Sequence, residues 1–193
     1  MSRGLGDVYK RQQIVGGARQ AVGHPRAVHE QVESQLVAGG GNVGANREVC
    51  QMIKNAGTTP VTHFTVIKNT KEGIKEQLDQ YLADGVDHML ALRGDIPLGE
   101  TTTCGDFDYA TDLVKFVRDT YGDKFEIAVA GSPEGHISCR SLESDIAVLK
   151  QKQDNGADYI MTQLCWDMEQ FKYWLDAIRK ACLLYTSDAA DEL

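Results

Sequence analysis

ADGVDHMLALRGD at residues 83–95 and DNGADYIMTQLCWD at residues 154–167 repeat one plan. In each, a glycine suited to stopping a helix (Gly85, Gly156) is followed two residues later by an aspartate (Asp87, Asp158). An apolar run then closes on a second acid (Asp95, Asp167). The plan reads as helix end, tight turn, strand and loop. Working outward, PVTHFTV at 60–66 and FEIAVAG at 125–131 are two more strand candidates. Between the strands the apolar residues take helical spacing. Ile74, Leu78 and Leu82 fall at i, i+4 and i+8 behind a cap at Asn69 or Thr70; Leu113, Phe116 and Val117 mark a second helix, Ile146 and Leu149 a third, and Phe171, Trp174, Leu175 and Ile178 a fourth. Four such units predict an α/β fold built on a parallel sheet. No G-x-G-x-x-G follows any strand, and Gly39, Gly40 and Gly41 before Asn42 lack that spacing, so a barrel is favoured over a doubly wound sheet. Both architectures bind ligands beyond the carboxyl ends of their strands, which makes the residues just past each strand the site candidates.

Composition narrows the class of function. With 42% hydrophobic and 25% charged residues, the 193-residue chain can bury the core of one soluble domain. Its net charge of -8 argues against a nucleic-acid partner, which would call for clustered Lys and Arg. No apolar run reaches membrane-spanning length and no signal-like start is visible, so a membrane-free, cytoplasmic protein is expected. Cys50, Cys104, Cys139, Cys165 and Cys182 are scattered and include no C-x-x-C pair; they read as reduced thiols, and no metal site is expected.

The two ends differ from the rest. DVYKRQ at 7–12 back-translates as GATGTGTATAAGAGACAG, whose reverse complement, read one base in, encodes Cys-Leu-Leu-Tyr-Thr-Ser, the residues at Cys182 to Ser187. Residues 1–12 and 182–193 are therefore read as scars resembling transposon sequencing adapters and are set aside. Residues 13–38 show no sustained helical or alternating pattern; they read either as out-of-frame translation or as a polar helix, AVHEQVESQLVA. Residues 39–181 are the coherent domain.

Five motifs then point to a family. THFT at 62–65, LALRGD at 90–95, FDYATDLV at 107–114, SPEGH at 132–136 and TQLCWD at 162–167 follow the order and approximate spacing found in methylenetetrahydrofolate reductases, which this chain resembles from about Gly39 to Ala181. The resemblance implies an FAD-holding (β/α)8 TIM barrel, present here in part as about strands 3 to 6. It also implies reduction of 5,10-methylenetetrahydrofolate to 5-methyltetrahydrofolate by NAD(P)H through FAD, with folate and nicotinamide molecules as partners and a homo-oligomer compatible with a complete member. It assigns cofactor contacts to His63, Arg93, Gly94, Asp95, Tyr109, Ala110, His136, Asp145 and Lys152, and substrate contacts to Asp95 and Gln163. Asp95 takes the main electrostatic role: a carboxylate there disfavours anionic reduced flavin and stabilises cationic folate. Arg93 brings a permanently charged donor fork, and Gly94 allows close backbone approach. Tyr109 and Ala110 open a helix whose N-H groups could face phosphate, and Gln163 can donate and accept at once. Asp145 and Lys152 lie seven residues apart, two turns along one helical face, at positions matching contacts to the nucleotide end of FAD.

Each residue also has a plainer reading. His63 could be a satisfied core histidine, Tyr109 and Ala110 ordinary helix-start packing, Asp145 and Lys152 solvated helix charges; Cys165, Trp166 and Asp167 read as packing or loop residues. The sequence departs from the family pattern at Ser132, where tyrosine is usual, and at Ala38, Gly39 and Gly40, where Thr-Tyr-Gly is usual. Nothing in it corresponds to the Phe-Glu-Phe-Phe-Pro-Pro-like run that carries the family's general-acid glutamate, so the chain alone is expected to be inactive. Two other functions fit the pattern: a barrel aldolase with Lys68 as Schiff-base lysine, or an inactive binding fragment.

Overall fold

The computed structural model describes residues 14–16, 43–96, 99–136 and 139–181; both adapter-like ends and the AVHEQVESQLVA segment lie outside them. Its elements are β1 (Ile14–Gly16), α1 (Val43–Asn55), β2 (Val61–Thr65), α2 (Lys71–Ala83), β3 (His88–Leu92), α3 (Ala110–Tyr121), β4 (Glu126–Gly131), α4 (Leu142–Asp154), β5 (Tyr159–Thr162) and α5 (Met168–Lys180). They form one sheet ordered β1-β5-β4-β3-β2. Strands β2 to β5 run parallel in chain order, each joined to the next through a helix, as the repeated plan predicts. This is an α/β arrangement consistent with part of a TIM barrel. The short β1 pairs antiparallel with the outer edge of β5. It was not anticipated, because three residues are too few for an alternating pattern to register.

The strands alternate between two faces. Phe64, Met89, Ala91, Ile127 and Val129 point to the helices, where they pack with Ile74, Leu78, Tyr81, Leu113 and Val117. Each fully buried Ile or Leu of this set contributes about 1.5–3 kcal/mol. On the opposite face His63, Leu90, Ala128 and Tyr159 form one row across the sheet. The expected caps are present: Thr70 Oγ1 accepts the Gly73 N-H at 3.1 Å, and Gly85 and Gly156 adopt positive φ just past α2 and α4. In α2 the third core position is Tyr81, fully buried, while Leu82 is only half-buried. A second cluster, Ile146, Leu149, Trp174 and Ile178, joins α4 to α5. No described helix is long and apolar enough to cross a membrane.

The paired aspartates of the repeated plan tie the strand starts together. Asp158 Oδ2 accepts the Ile127 N-H at 2.8 Å and Arg118 Nη2 at 2.6 Å, while Arg118 also donates to the Gly156 carbonyl at 2.6 Å and the Gly122 carbonyl at 2.7 Å. Arg118 of α3 thus fastens the starts of β4 and β5. Asp87 plays the neighbouring part: its carbonyl accepts the Glu126 N-H at 2.8 Å, and its carboxylate meets His88 Nδ1 at 2.7 Å. The other ring nitrogen, His88 Nε2, lies 3.0 Å from Glu126 Oε2.

Glu126, seconded by Asp87 and opposed by partial burial, raises the His88 pKa above its ordinary value. A histidine raised on folding stabilises fully below its unfolded pKa, about 6.5, and loses that contribution as pH rises through the folded value. Urea denaturation should therefore show wild type more stable than His88→Gln at about pH 6, with the gap closing by about pH 9. A gap that widens with rising pH would contradict the pairing.

Candidate functional site

Because β2 to β5 are parallel, the segments leaving their carboxyl ends open on one edge of the sheet. They are Val66–Asn69 after β2, the loop from Arg93 after β3, Ser132–His136 after β4 and Gln163–Asp167 after β5. Hydrogen bonds stitch neighbouring segments together. The Val66 N-H donates to the Arg93 carbonyl at 3.2 Å, and the Gln163 N-H to the Gly131 carbonyl at 2.8 Å. Gln170 Nε2 donates to the Pro133 carbonyl at 3.1 Å, and the Trp166 N-H to Glu134 Oε1 at 3.4 Å. Arg93, Gly94, Asp95, His136 and Gln163 are thereby brought to a common edge, with His63 two residues below it on β2.

Individual residues refine the sequence reading. Gly94 has φ +84°, and an added Cβ would stand 2.7 Å from Ile67 Cγ1 and 3.2 Å from Thr65 Cβ. The glycine is therefore required by close packing against the end of β2, a reason that sequence alone did not supply. The two closing acids, alike in sequence, part company. Asp167 caps α5, its Oδ1 accepting the N-H groups of Glu169 and Gln170 at 2.9 and 3.1 Å. Asp95 is exposed and accepts no hydrogen bond from any described residue. Tyr109 is the N-cap of α3 with its ring exposed, and Ala110 begins the helix. The Tyr109 N-H is already taken by Asp112 Oδ2 at 3.1 Å, which removes one of the donors expected to face a phosphate. Gln163 and His136 are both exposed.

The loop between β3 and α3 is held down at points the sequence reading passed over. The Lys68 N-H, at a backbone φ of +56°, donates to the Thr103 carbonyl at 2.8 Å; the Asp106 N-H donates to the Asn69 carbonyl at 3.1 Å; and Asp106 Oδ2 accepts the Lys71 N-H at 2.9 Å. Thr103, 3% exposed, donates to the Phe107 carbonyl at 2.6 Å. A buried threonine inside a Gly- and Thr-rich loop was the available signal. Lys68 itself is exposed, unlike the desolvated lysine a Schiff-base nucleophile requires.

Two groups on α4 stand apart electrostatically. Asp145 is 6% exposed, and its Oδ2 is buried without a partner among the described residues. Lys152, two turns later, donates from Nζ to the Ala130 carbonyl on β4 at 3.3 Å. Burial pulls the Lys152 pKa below its ordinary value, while Asp145 opposes that shift. Neither is the fully solvated helix charge of the plainer reading. On β2, burial lowers the His63 pKa and favours the neutral imidazole, able to donate and accept at once. The edge thus combines an apolar floor, including Leu90 and Ala128, with Arg93 and Lys152 as cations and Asp95 and Asp145 as acceptors. That donor set suits a flat heteroaromatic ring joined to a hydroxylated, phosphorylated tail. Among the described residues no group of three or more His, Cys, Asp or Glu could hold a metal ion.

Comparison with known proteins agrees with this chemistry. A family model described as Methylenetetrahydrofolate reductase matches residues 30–187. The chain is 38% identical over 124 residues to Methylenetetrahydrofolate reductase 2 of Saccharomyces cerevisiae, covering 62% of this chain and 21% of that protein. It is 35% identical over 156 residues to Methylenetetrahydrofolate reductase (NADH) 1 of Arabidopsis thaliana, covering 74% and 26%. With the Probable methylenetetrahydrofolate reductase (NADPH) of Caenorhabditis elegans it shares 33% identity over 129 residues, covering 67% and 20%. The chain therefore spans about a fifth to a quarter of the length of these relatives. With five motifs in register on consecutive β/α units and the family model covering most of its length, the chain belongs to the methylenetetrahydrofolate reductase family.

Proposed function

We propose that this chain supplies part of the cofactor- and substrate-binding edge of an FAD-dependent reductase that converts 5,10-methylenetetrahydrofolate to 5-methyltetrahydrofolate with NAD(P)H in the cytoplasm. The observation that carries the reading is the convergence of Arg93, Gly94 and Asp95 from β3, His136 from the loop after β4 and Gln163 from β5 on one strand edge. FAD, when bound, supplies hydride transfer between nicotinamide and folate. The residues present fit such a group: the buried, unpartnered Asp145 Oδ2 is a ready acceptor for a hydroxyl, and the Lys152 ammonium, two turns along the same helix, a counter-charge for a phosphate.

In this reading each side chain has a separate task. Arg93 and neutral His63 offer donors to the flavin ring system, with His136 beside them, and the Gly94 backbone lies close enough to join them. The start of α3 at Tyr109 and Ala110 turns remaining helix N-H groups toward phosphate. Gln163 pairs with an amide edge of the folate or nicotinamide ring, accepting through its carbonyl and donating through its NH2. Asp95 faces positive charge developing on the folate and lowers its energy. No residue of this chain takes the role of the family's glutamate acid, so the 193 residues alone are not expected to turn over folate.

A protein carrying this chain at the length of its relatives should purify yellow with FAD and oxidise NAD(P)H when given menadione; a colourless protein that cannot be reconstituted with FAD would sink the proposal. In the same protein, Asp95→Asn should slow the half-reaction with methylenetetrahydrofolate about tenfold, equivalent to ~1.4 kcal/mol, while slowing the half-reaction with NAD(P)H less or even speeding it. Rapid mixing of each half-reaction separates the two effects. Equal slowing of both would mean that Asp95 maintains structure and does not tune charge.

A further inference from the structure

We propose that Cys139 is a positioning residue for the cofactor: its thiol holds one oxygen of the Asp145 carboxylate so that the other is presented to a hydroxyl of bound FAD. This rests on the FAD reading above. Cys139 lies just ahead of α4, outside all five family motifs, and its Sγ donates to Asp145 Oδ1 at 3.6 Å. Asp145 Oδ2 is buried with no partner among the described residues. A buried acceptor left unmatched is costly, and the cost falls away when a ligand brings the missing donor.

The local backbone fixes this arrangement. The Cys139 N-H donates to the His136 carbonyl at 2.8 Å, which closes the turn after SPEGH and turns the chain back toward the helix. Ser141 and Ser144 then cap α4 reciprocally: the Ser144 N-H donates to Ser141 Oγ at 3.3 Å and the Ser141 N-H to Ser144 Oγ at 3.2 Å. Asp145 is the next residue, its N-H donating to the Ser141 carbonyl at 3.1 Å. Cys139 is therefore the link between two candidate cofactor contacts, His136 on one side and Asp145 on the other. The thiol can donate only while protonated. Burial and the adjacent Asp145 both raise its pKa, so it keeps its proton at neutral pH and is a poor nucleophile there.

The test is FAD affinity, measured by titrating FAD into apoprotein of full family length and following flavin fluorescence. Cys139→Ala should weaken FAD about threefold to tenfold, the size of one modest hydrogen bond, and Cys139→Ser should restore most of the loss because its hydroxyl donates in the same place. In an Asp145→Asn background the alanine substitution should cost little more, since the partner it orders has changed. Unchanged affinity in Cys139→Ala, no recovery in Cys139→Ser, or full additivity with Asp145→Asn would overturn the inference. A measurement on the unaltered protein guards against a misfolded variant: bound FAD should slow N-ethylmaleimide labelling of Cys139, followed by peptide mass spectrometry, and equal labelling with and without FAD would also overturn it. If the unaltered protein binds no FAD at all, the proposed function itself fails and takes this inference with it, an outcome distinct from FAD binding that ignores Cys139.

Discussion

The guanidinium of Arg118 fixes the floor on which the candidate site stands. Planted on α3 and largely buried, it donates to the Gly156 carbonyl and the Asp158 carboxylate at the start of β5, and reaches the turn that leads into β4. Asp158 in turn accepts the Ile127 N-H, so a single cation sets two adjacent strands against one helix. Parallel strands have no hairpin to fix their register, and alignment must come from such ties and from packing. Once the strand starts are aligned, strand length alone decides where the carboxyl ends emerge. The level at which Gly131 and Thr162 finish, and hence where His136 and Gln163 lie, follows from a contact at the opposite end of the sheet. An equivalent tie serves the other side, where Arg47 of α1 pairs with Asp84 at the end of α2.

Much of this was legible in the sequence because the repeat states it twice. The glycine stops, the aspartates at the strand starts and the apolar runs each have one physical meaning, and all four parallel strands and their helices formed where those signals lay. The failures are equally physical. Periodicity nominated Leu82 for the α2 core, but the wider tyrosine ring at position 81 reaches the sheet and fills that place, packing edge-on near Phe64. Strand β1 owes its pairing to an edge supplied by β5, about 145 residues later, and no local pattern can announce a partner that distant.

The site divides the same way. Topology alone placed Asp95, His136 and Gln163 beyond strand ends, and the sheet brings them to one edge. What the sequence could not separate was Asp95 from Asp167, although the clue was present: a helix begins directly after Asp167 and a long loop after Asp95, so only the former has helix N-H groups to cap. Gly94 illustrates a second limit. Its need for positive φ could be guessed, but the neighbour that excludes a side chain, Ile67, lies across the sheet. Burial of Asp145 and the tie from Cys139 are tertiary facts, invisible in the spacing of a polar helix.

The central claim is that one edge, formed by β2 to β5 and the helices behind them, holds the flavin nucleotide. A crystal structure of a family-length protein carrying this chain, grown with FAD, tests it most directly. The expected result is FAD lying along the carboxyl ends of these strands, its ring system near His63, Arg93 and His136 and its nucleotide portion against Asp145 and Lys152. FAD seated at the amino-terminal side of the sheet near His88 and Glu126, or held without any contact to those five residues, would contradict the account.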